Sequence, residues 1–136
     1  MTRLDLSDLD ALRALPHDIN KVEQLEYLLL NNTNVTDLRP LIGLENLARL
    51  ELGQTPVTDL RPLTQLSALR FLSLHQSWVF DLSPLSQLPN LEDLNLSYTA
   101  VQSLAPLTKL RNMGQLTLYS SYAHDGSQAH YNALEK

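Results

Sequence analysis

Leu47 to Leu66 read LARLELGQTPVTDLRPLTQL, and the apolar positions of this stretch return every 22 residues along the chain. Its first half supplies three apolar rows: Leu25, Leu47, Leu69, Leu91 and Met113; Leu28, Leu50, Leu72, Leu94 and Leu116; and Leu30, Leu52, Leu74, Leu96 and Leu118. A fixed period of this length is typical of a stack of identical supersecondary units. The chain is therefore expected to be a repeat protein.

Each unit contains two different periodicities. Residues 50–52 alternate apolar and polar side chains, which is the spacing of a strand. Residues 60–66 place a leucine at every third position, which suits a 3₁₀ or short helical return. Pro62 fits the first turn of that return, and Asp59 can accept backbone N–H bonds where the return begins. Each unit is thus predicted to be a strand, a turn, a return and a second turn.

Stacking such units predicts an α/β repeat solenoid. Successive strands pair in parallel, about 4.8 Å apart. The right-handed crossover rule then coils the chain into a curved stack, with the parallel sheet on the concave face and the 3₁₀ or helical returns on the convex face.

The pattern resembles the leucine-rich repeat family, and within it the 22-residue class of internalins and SDS22-like phosphatase regulators. The sequence TDLRPL at residues 58–63 resembles the internalin-type return. The family usually has an asparagine after the strand, whose amide bridges neighbouring turns as a ladder. Hydroxyl residues occupy those positions here, and we expect them to form a thinner ladder of the same kind: Thr33, Thr55, Ser77, Thr99 and Ser121.

We predict a single domain over residues 1–136, with regular repeats over 25–121. Residues 1–24 form either an irregular first repeat, in which residues 4–6 are a strand, or a helical cap that begins at Ser7 and ends before Pro16. Residues 122–136 lose the pattern and form a C-terminal tail or cap, with Ser127 as a candidate helix N-cap. Without such a lid, the strand around Leu116 would be an open edge through which the chain could associate with itself. A fragment of a longer protein is a third interpretation of this end.

Composition excludes several classes of partner and site. Ten Lys and Arg face 15 Asp and Glu, and the resulting net charge of −5 argues against nucleic acid or an anionic membrane as the partner. The absence of cysteine excludes disulfides and zinc–thiolate sites. Neither a signal peptide nor a transmembrane run is seen, which predicts a cytoplasmic protein.

The concave sheet is the usual binding surface of leucine-rich repeat proteins, so the resemblance implies an unidentified protein or peptide partner on that face. Its outward positions align in rows that vary from unit to unit, as on a tailored contact surface or on an idle one. Aromatic residues and arginine favour the first, because they are enriched in interface hot spots. We expect Arg49 to stack between two rings of its row. The predicted partner-binding residues are Tyr27, Arg49, Phe71, His75, Trp78, Asp93 and Tyr98.

Trp78, at the rim of the sheet, has a second interpretation, in which it folds over Phe80 as a local lid. No sequence motif supports an enzyme, a cofactor or a metal site. His124, Asp125 and His130 have no metal-ligand spacing, and the four glycines do not form a phosphate-binding loop. The alternative function is a structural or sensor segment of a larger multidomain signalling or effector protein.

Overall fold

A six-stranded parallel sheet runs the length of the computed structural model, which describes residues 2–119. Its strands lie side by side in chain order. They are β1 (Thr2–Asp5), β2 (Leu25–Leu29), β3 (Arg49–Glu51), β4 (Phe71–Ser73), β5 (Asp93–Asn95) and β6 (Gln115–Thr117). From β2 onward each strand is paired with the residues 22 positions later, such as Leu50 with Leu72. The 22-residue period of the sequence therefore determines which residues pair in the sheet.

A short 3₁₀ segment returns the chain between successive strands. The five segments are Ile19–Lys21, Arg39–Leu41, Arg61–Leu63, Ser83–Gln87 and Ala105–Lys109. The last four have proline in their first turn, where its missing N–H costs no hydrogen bond. The Asp59 carboxylate accepts the N–H of Arg61 at 2.9 Å, and Asp37 and Asp81 do the same in their repeats. These bonds confirm the predicted capping role of the aspartate row.

The core lies between the sheet and the returns. Leu50, Leu72 and Leu94 are fully buried from the strand side, and Leu63 and Leu85 from the return side. They belong to one continuous apolar cluster that runs from Leu15 to Leu116. Six parallel strands over 3₁₀ returns confirm a repeat solenoid. Its predicted curvature stays a prediction.

The N-terminal segment pairs with the stack. β1 lies parallel to β2, with Leu4 opposite Leu28. Residues 7–16 form turns without a helix, and Leu15 and Ile19 extend the core beneath them. Ser121, the 122–136 tail, its proposed Ser127 cap and the histidines of the tail lie outside the described residues.

The expected hydroxyl ladder between turns is wrong for its threonines, which the structure describes. Thr33, Thr55 and Thr99 donate at 2.7–2.8 Å to the carbonyl three residues earlier in their own repeat. A threonine hydroxyl is too close to its own backbone to span the gap to the next turn, and it closes the turn locally.

Asparagines before the strands make the bridges between repeats instead. Asn46 Nδ2 donates to the carbonyl of Glu23 at 2.8 Å, Asn90 to that of Ser67 at 2.7 Å, and Asn112 to that of Pro89 at 2.9 Å. Ala68 occupies the corresponding position of the central repeat and interrupts this ladder. Ser97 Oγ, outside the predicted positions, also accepts the N–H of Tyr119 in the next repeat at 3.1 Å.

A left-handed residue follows each of the strands β1 to β5. Asp8 has a φ of 65°, and Asn32, Gln54, Gln76 and Tyr98 have φ between 54° and 58°. A non-glycine residue in this region costs roughly 1–2 kcal/mol, which in the last four the buried Thr or Ser that follows helps to offset through its local bonds. Tyr98, one of the predicted partner-binding residues, therefore lies in a turn and not on a strand.

Candidate functional site

Alternate strand positions point away from the core and form a surface that we call the sheet face. The strand register aligns its first row in the predicted order, Tyr27, Arg49, Phe71, Asp93 and Gln115. The second row is equally regular and contains Leu29, Glu51, Ser73, Asn95 and Thr117. The repeat therefore places the candidate residues at strand spacing on one surface.

Arg49 and Phe71 form the centre of the sheet face. The guanidinium carbon of Arg49 lies 3.8 Å from the centroid of the Phe71 ring, which is a close cation–π contact. The same guanidinium pairs with Glu51 at 2.7 Å, and the Glu51 side chain is only 15% exposed. Two partners therefore fix the orientation of Arg49 before any ligand binds.

The prediction that Arg49 stacks between two rings is correct for Phe71 and wrong for Tyr27. Arg49 covers Phe71, but no ring contact joins it to Tyr27 within residues 2–119. Glu51 lies two residues from Arg49 on the same side of β3 and binds the guanidinium, so the side chain turns along its own strand. Tyr27 is half-buried beside it.

A polar chain continues from Glu51 toward the strand ends. Asn31 donates through Nδ2 to Glu51 Oε2 at 2.6 Å, and its Oδ1 accepts the N–H of Gly53 at 2.8 Å. The chain thus links Arg49 to the turn after β2. It rigidifies three neighbouring segments of the surface.

Asp93 differs from the other charged residues of the sheet face. It is half-buried, and no hydrogen bond or ion pair reaches its carboxylate within the described part of the chain. Burial raises the pKa of the Asp93 carboxyl above its ordinary value, and attraction by Arg49 offsets this only in part.

His75 packs at the ends of the strands. Its Nδ1 lies 3.0 Å from the hydroxyl of Ser73, and its ring occupies the space that a Cβ at Gly53 would need. The absence of a side chain at Gly53 is therefore what lets the imidazole pack against the preceding repeat.

Large aromatic side chains lie in the segments that come after the strands. Trp78 is 67% exposed and borders an open groove over Pro56 and Gln54 of the preceding repeat. Phe80, 63% exposed, borders a different groove beside Arg61, and no ring contact joins it to Trp78 among residues 2–119. Tyr98 is 57% exposed at its left-handed turn. Trp78 and Tyr98 thus both lie beyond the carboxyl-terminal ends of their strands, β4 and β5.

Solved structures with the same architecture include several leucine-rich repeat proteins. The Listeria monocytogenes internalin InlF is 30% identical, with a TM-score of 0.83 over 92% of this chain and 36% of its own. A leucine-rich repeat protein of Leptospira interrogans is 25% identical, with a TM-score of 0.84 over 97% of this chain and 34% of its own. This chain is a leucine-rich repeat protein. It spans about a third of the length of these two neighbours.

A more distant neighbour shows the fold alone. The plant peptide hormone receptor RGFR1, solved in complex with RGF2, is 16% identical, with a TM-score of 0.73 over 89% of this chain and 21% of its own. No protein-family model matches this leucine-rich repeat chain, and no curated protein matches it.

Two residues central to the site were missing from the sequence prediction. Glu51 holds Arg49, and Asn31 holds Glu51. A signal for Glu51 was present, because an acid two residues from an arginine on one strand shares its face. Asn31 continues the same outward spacing two residues after Leu29, but that spacing does not indicate that its amide binds Glu51 of the next repeat.

Catalytic and metal-binding chemistry has little support in the described part of this leucine-rich repeat protein. Within residues 2–119, no group of His, Asp and Glu could hold a metal ion. Ser73 and His75 form a pair, but no carboxylate of those residues hydrogen-bonds the imidazole, so no third group orients it. Among the described elements, no helix is both long and apolar enough to cross a membrane.

Proposed function

We propose that the chain is a non-catalytic module that binds a protein or peptide on the sheet face, which the fold is expected to make concave. The contact residues are those predicted from the sequence: Tyr27, Arg49, Phe71, His75, Asp93 and Tyr98, with Trp78 at the rim. The predicted cytoplasmic location stays a prediction.

The Arg49–Phe71 stack is the observation on which the proposal depends most. Arg49 is 39% exposed although it touches both Phe71 and Glu51, so its outer edge remains available to a ligand. A side chain that is already ordered loses little entropy on binding, and arginine and aromatic residues are frequent hot spots. An idle surface has no need of such an arrangement.

The comparisons add support from proteins of similar architecture. The plant receptor RGFR1 was solved in complex with RGF2, and another neighbour is a TDR receptor. Internalin InlF is the neighbour with the highest sequence identity of those described above. Binding by a surface of this fold is therefore a reasonable inference for this chain.

Affinity capture from the native lysate, repeated with variants, tests the proposal. Phe71→Ala and Arg49→Ala should each reduce capture of the retained protein at least tenfold, because each removes half of the stack. Phe80→Ala and Arg61→Ala are matched controls. Phe80 is an exposed ring away from the sheet face, and Arg61 pairs with Asp59 at 2.8 Å on a return.

The outcome is decided by comparing the two pairs of variants. Unchanged capture by both Phe71→Ala and Arg49→Ala would exclude this patch, as would equal losses in the controls. Thermal unfolding of each variant separates a lost contact from a lost fold.

A second candidate function is a structural or sensor segment of a larger multidomain signalling or effector protein. The observation that favours it is that the chain spans about a third of InlF and of the Leptospira protein. The DNA sequence on both sides of the codons for residues 1–136 tests it. Further coding sequence in frame would support this function, and stop codons directly flanking the frame would contradict it.

A further inference from the structure

We propose that Phe71 and Asp93 form a subsite for an arginine side chain of the partner. The proposal rests on the function proposed above and adds the chemistry that the sheet face would recognise. The subsite lies between β4 and β5, on the side of Phe71 opposite to Arg49.

The first argument is that the arginine already present is committed elsewhere. Arg49 stacks on Phe71 at 3.8 Å and pairs with Glu51 at 2.7 Å. Its nearest carboxylate is Glu51, and its attraction to Asp93 offsets the effect of burial on the Asp93 pKa only in part. Arg70, the next cation along the surface, pairs with Glu92 at 2.9 Å. Neither cation forms an ion pair with Asp93.

The second argument concerns the Asp93 carboxylate itself. It is half-buried, and residues 2–119 supply it with no hydrogen bond or ion pair. A carboxylate in such surroundings is usually paired, because losing water without a partner is costly. Burial raises the pKa of Asp93, which is the expected sign of this cost. A bound cation would remove it.

The third argument is the order of the row. Arg49, Phe71 and Asp93 are successive register partners on adjacent strands. Arg49 covers Phe71 from β3, and Asp93 lies beside Phe71 on the strand at its other side, β5. A guanidinium placed between Phe71 and Asp93 would stack on the ring and meet the Asp93 carboxylate. This arrangement would repeat the one that Arg49 makes with Phe71 and Glu51.

Arginine fits this subsite better than lysine does. Its planar guanidinium can stack on a ring and donate two parallel hydrogen bonds to a carboxylate at the same time. The ammonium of lysine is a more strongly hydrated point charge. The net charge of −5 also favours a basic ligand at longer range.

Titration of the ¹⁵N-labelled chain with N-acetyl-arginine-methylamide tests the subsite directly. We expect saturable shifts at the backbone amides of Phe71, Ser73, Asp93 and Asn95. The citrulline analogue, which is neutral but of the same shape, should bind at least fivefold more weakly. The lysine analogue should also bind more weakly than arginine.

Asp93→Asn should weaken arginine binding at least fivefold while leaving the melting temperature unchanged or higher, because the charge is disfavoured in the fold. Glu45→Gln is the matched control. It makes the same change in net charge at an exposed site near a return and should bind as the parent does.

Three results would overturn the proposal: equal binding of arginine and citrulline, unchanged binding by Asp93→Asn, or equal losses in Asp93→Asn and Glu45→Gln. Capture of the partner separates this proposal from the proposed function. If Asp93→Asn loses the probe but still captures the partner as strongly, the partner does not use this subsite, and only the present proposal fails. If Phe71→Ala and Arg49→Ala both leave capture unchanged, the proposed function fails.

Discussion

At the scale of single residues, Gly53 controls the position of His75. A Cβ at Gly53 would overlap the imidazole, whereas a Cβ at Gly114 would meet nothing nearer than the Glu92 carbonyl oxygen at 3.8 Å. The two glycines therefore have different reasons to be small. Only the first is required by a side chain of the next repeat.

Gly53→Ala should displace the His75 ring and break its contact with Ser73. The side chain is half-buried and can turn outward, so the free energy of unfolding should fall by only about 0.5–1.5 kcal/mol, the worth of one hydrogen bond. Ring resonances of His75 and denaturant unfolding measure both effects. Gly114→Ala should change neither, and an unmoved His75 ring in Gly53→Ala would contradict the prediction.

At the scale of the element, the returns depend on their aspartate caps. Hydrogen bonding from the Arg61 side chain, more than from its backbone N–H, lowers the pKa of Asp59 from 3.8 to about 2. Arg39 lowers the pKa of Asp37 to about 2 in the same way. Because the pKa of each aspartate is lower in the folded state than in the unfolded state, the ionised carboxylate stabilises the fold. This stabilisation is complete above about pH 4 and is lost as the pH falls toward 2.

Asp59→Asn should therefore lower the melting temperature modestly at pH 7 and have a much smaller effect near pH 2, where about half of the folded molecules have Asp59 protonated. The asparagine oxygen can still accept the Arg61 N–H, so the substitution isolates the charge. Calorimetric scans of both proteins between pH 2 and 7 provide the measurement. A difference in melting temperature that stays constant over this range would refute the linkage.

The interrupted asparagine ladder offers a stabilising substitution. Asn46 and Asn90 each bind a carbonyl 23 residues earlier, and Ala68 lies between them in the repeat order. Ala68→Asn should reach the carbonyl of Glu45 and raise the free energy of unfolding by about 0.5–1 kcal/mol. Asn90→Ala is the reciprocal control and should lower it by a similar amount. A loss of stability in Ala68→Asn would show that the half-buried position cannot accept an amide.

The elements also show what the sequence could and could not predict. The strands and returns followed from the leucine spacing because buried positions are set by geometry and repeat exactly. The inter-repeat bridges did not, because Thr55 and Asn46 both carry groups that can bridge, and the backbone groups that lie nearest to each side chain decide which of them does. Glu51 was predictable from its spacing to Arg49. The unpaired state of Asp93 depends on where neighbouring cations turn, which spacing does not specify.

At the scale of the whole molecule, each repeat is stabilised by its neighbours on both sides. Leu72 is fully buried between two repeats, whereas Leu116 belongs to the last strand of the described residues and is 7% exposed. In a stack of this kind stability is a sum of repeat and interface contributions. The same substitution should therefore have unequal effects along the chain.

Leu72→Ala should lower the free energy of unfolding by about 2–5 kcal/mol, because it leaves a cavity that two flanking repeats cannot close. Leu116→Ala should cost clearly less. Urea unfolding followed by circular dichroism measures both. Equal losses would show that the region around β6 is packed as tightly as the middle of the stack.

The parallel register also fixes the distance between neighbouring side chains of one row. Side chains of one row recur about every 4.8 Å across the sheet, while an extended peptide presents same-side residues about every 6.6 Å. The two spacings fall out of phase after a single strand. The pitch of an α-helix, about 5.4 Å, stays within about 1.2 Å of the rows over two strand steps. From Arg49 to Asp93 the spacing of the sheet rows thus matches the turns of a helix that lies across the strands. It does not match the same-side residues of an extended chain in the same direction.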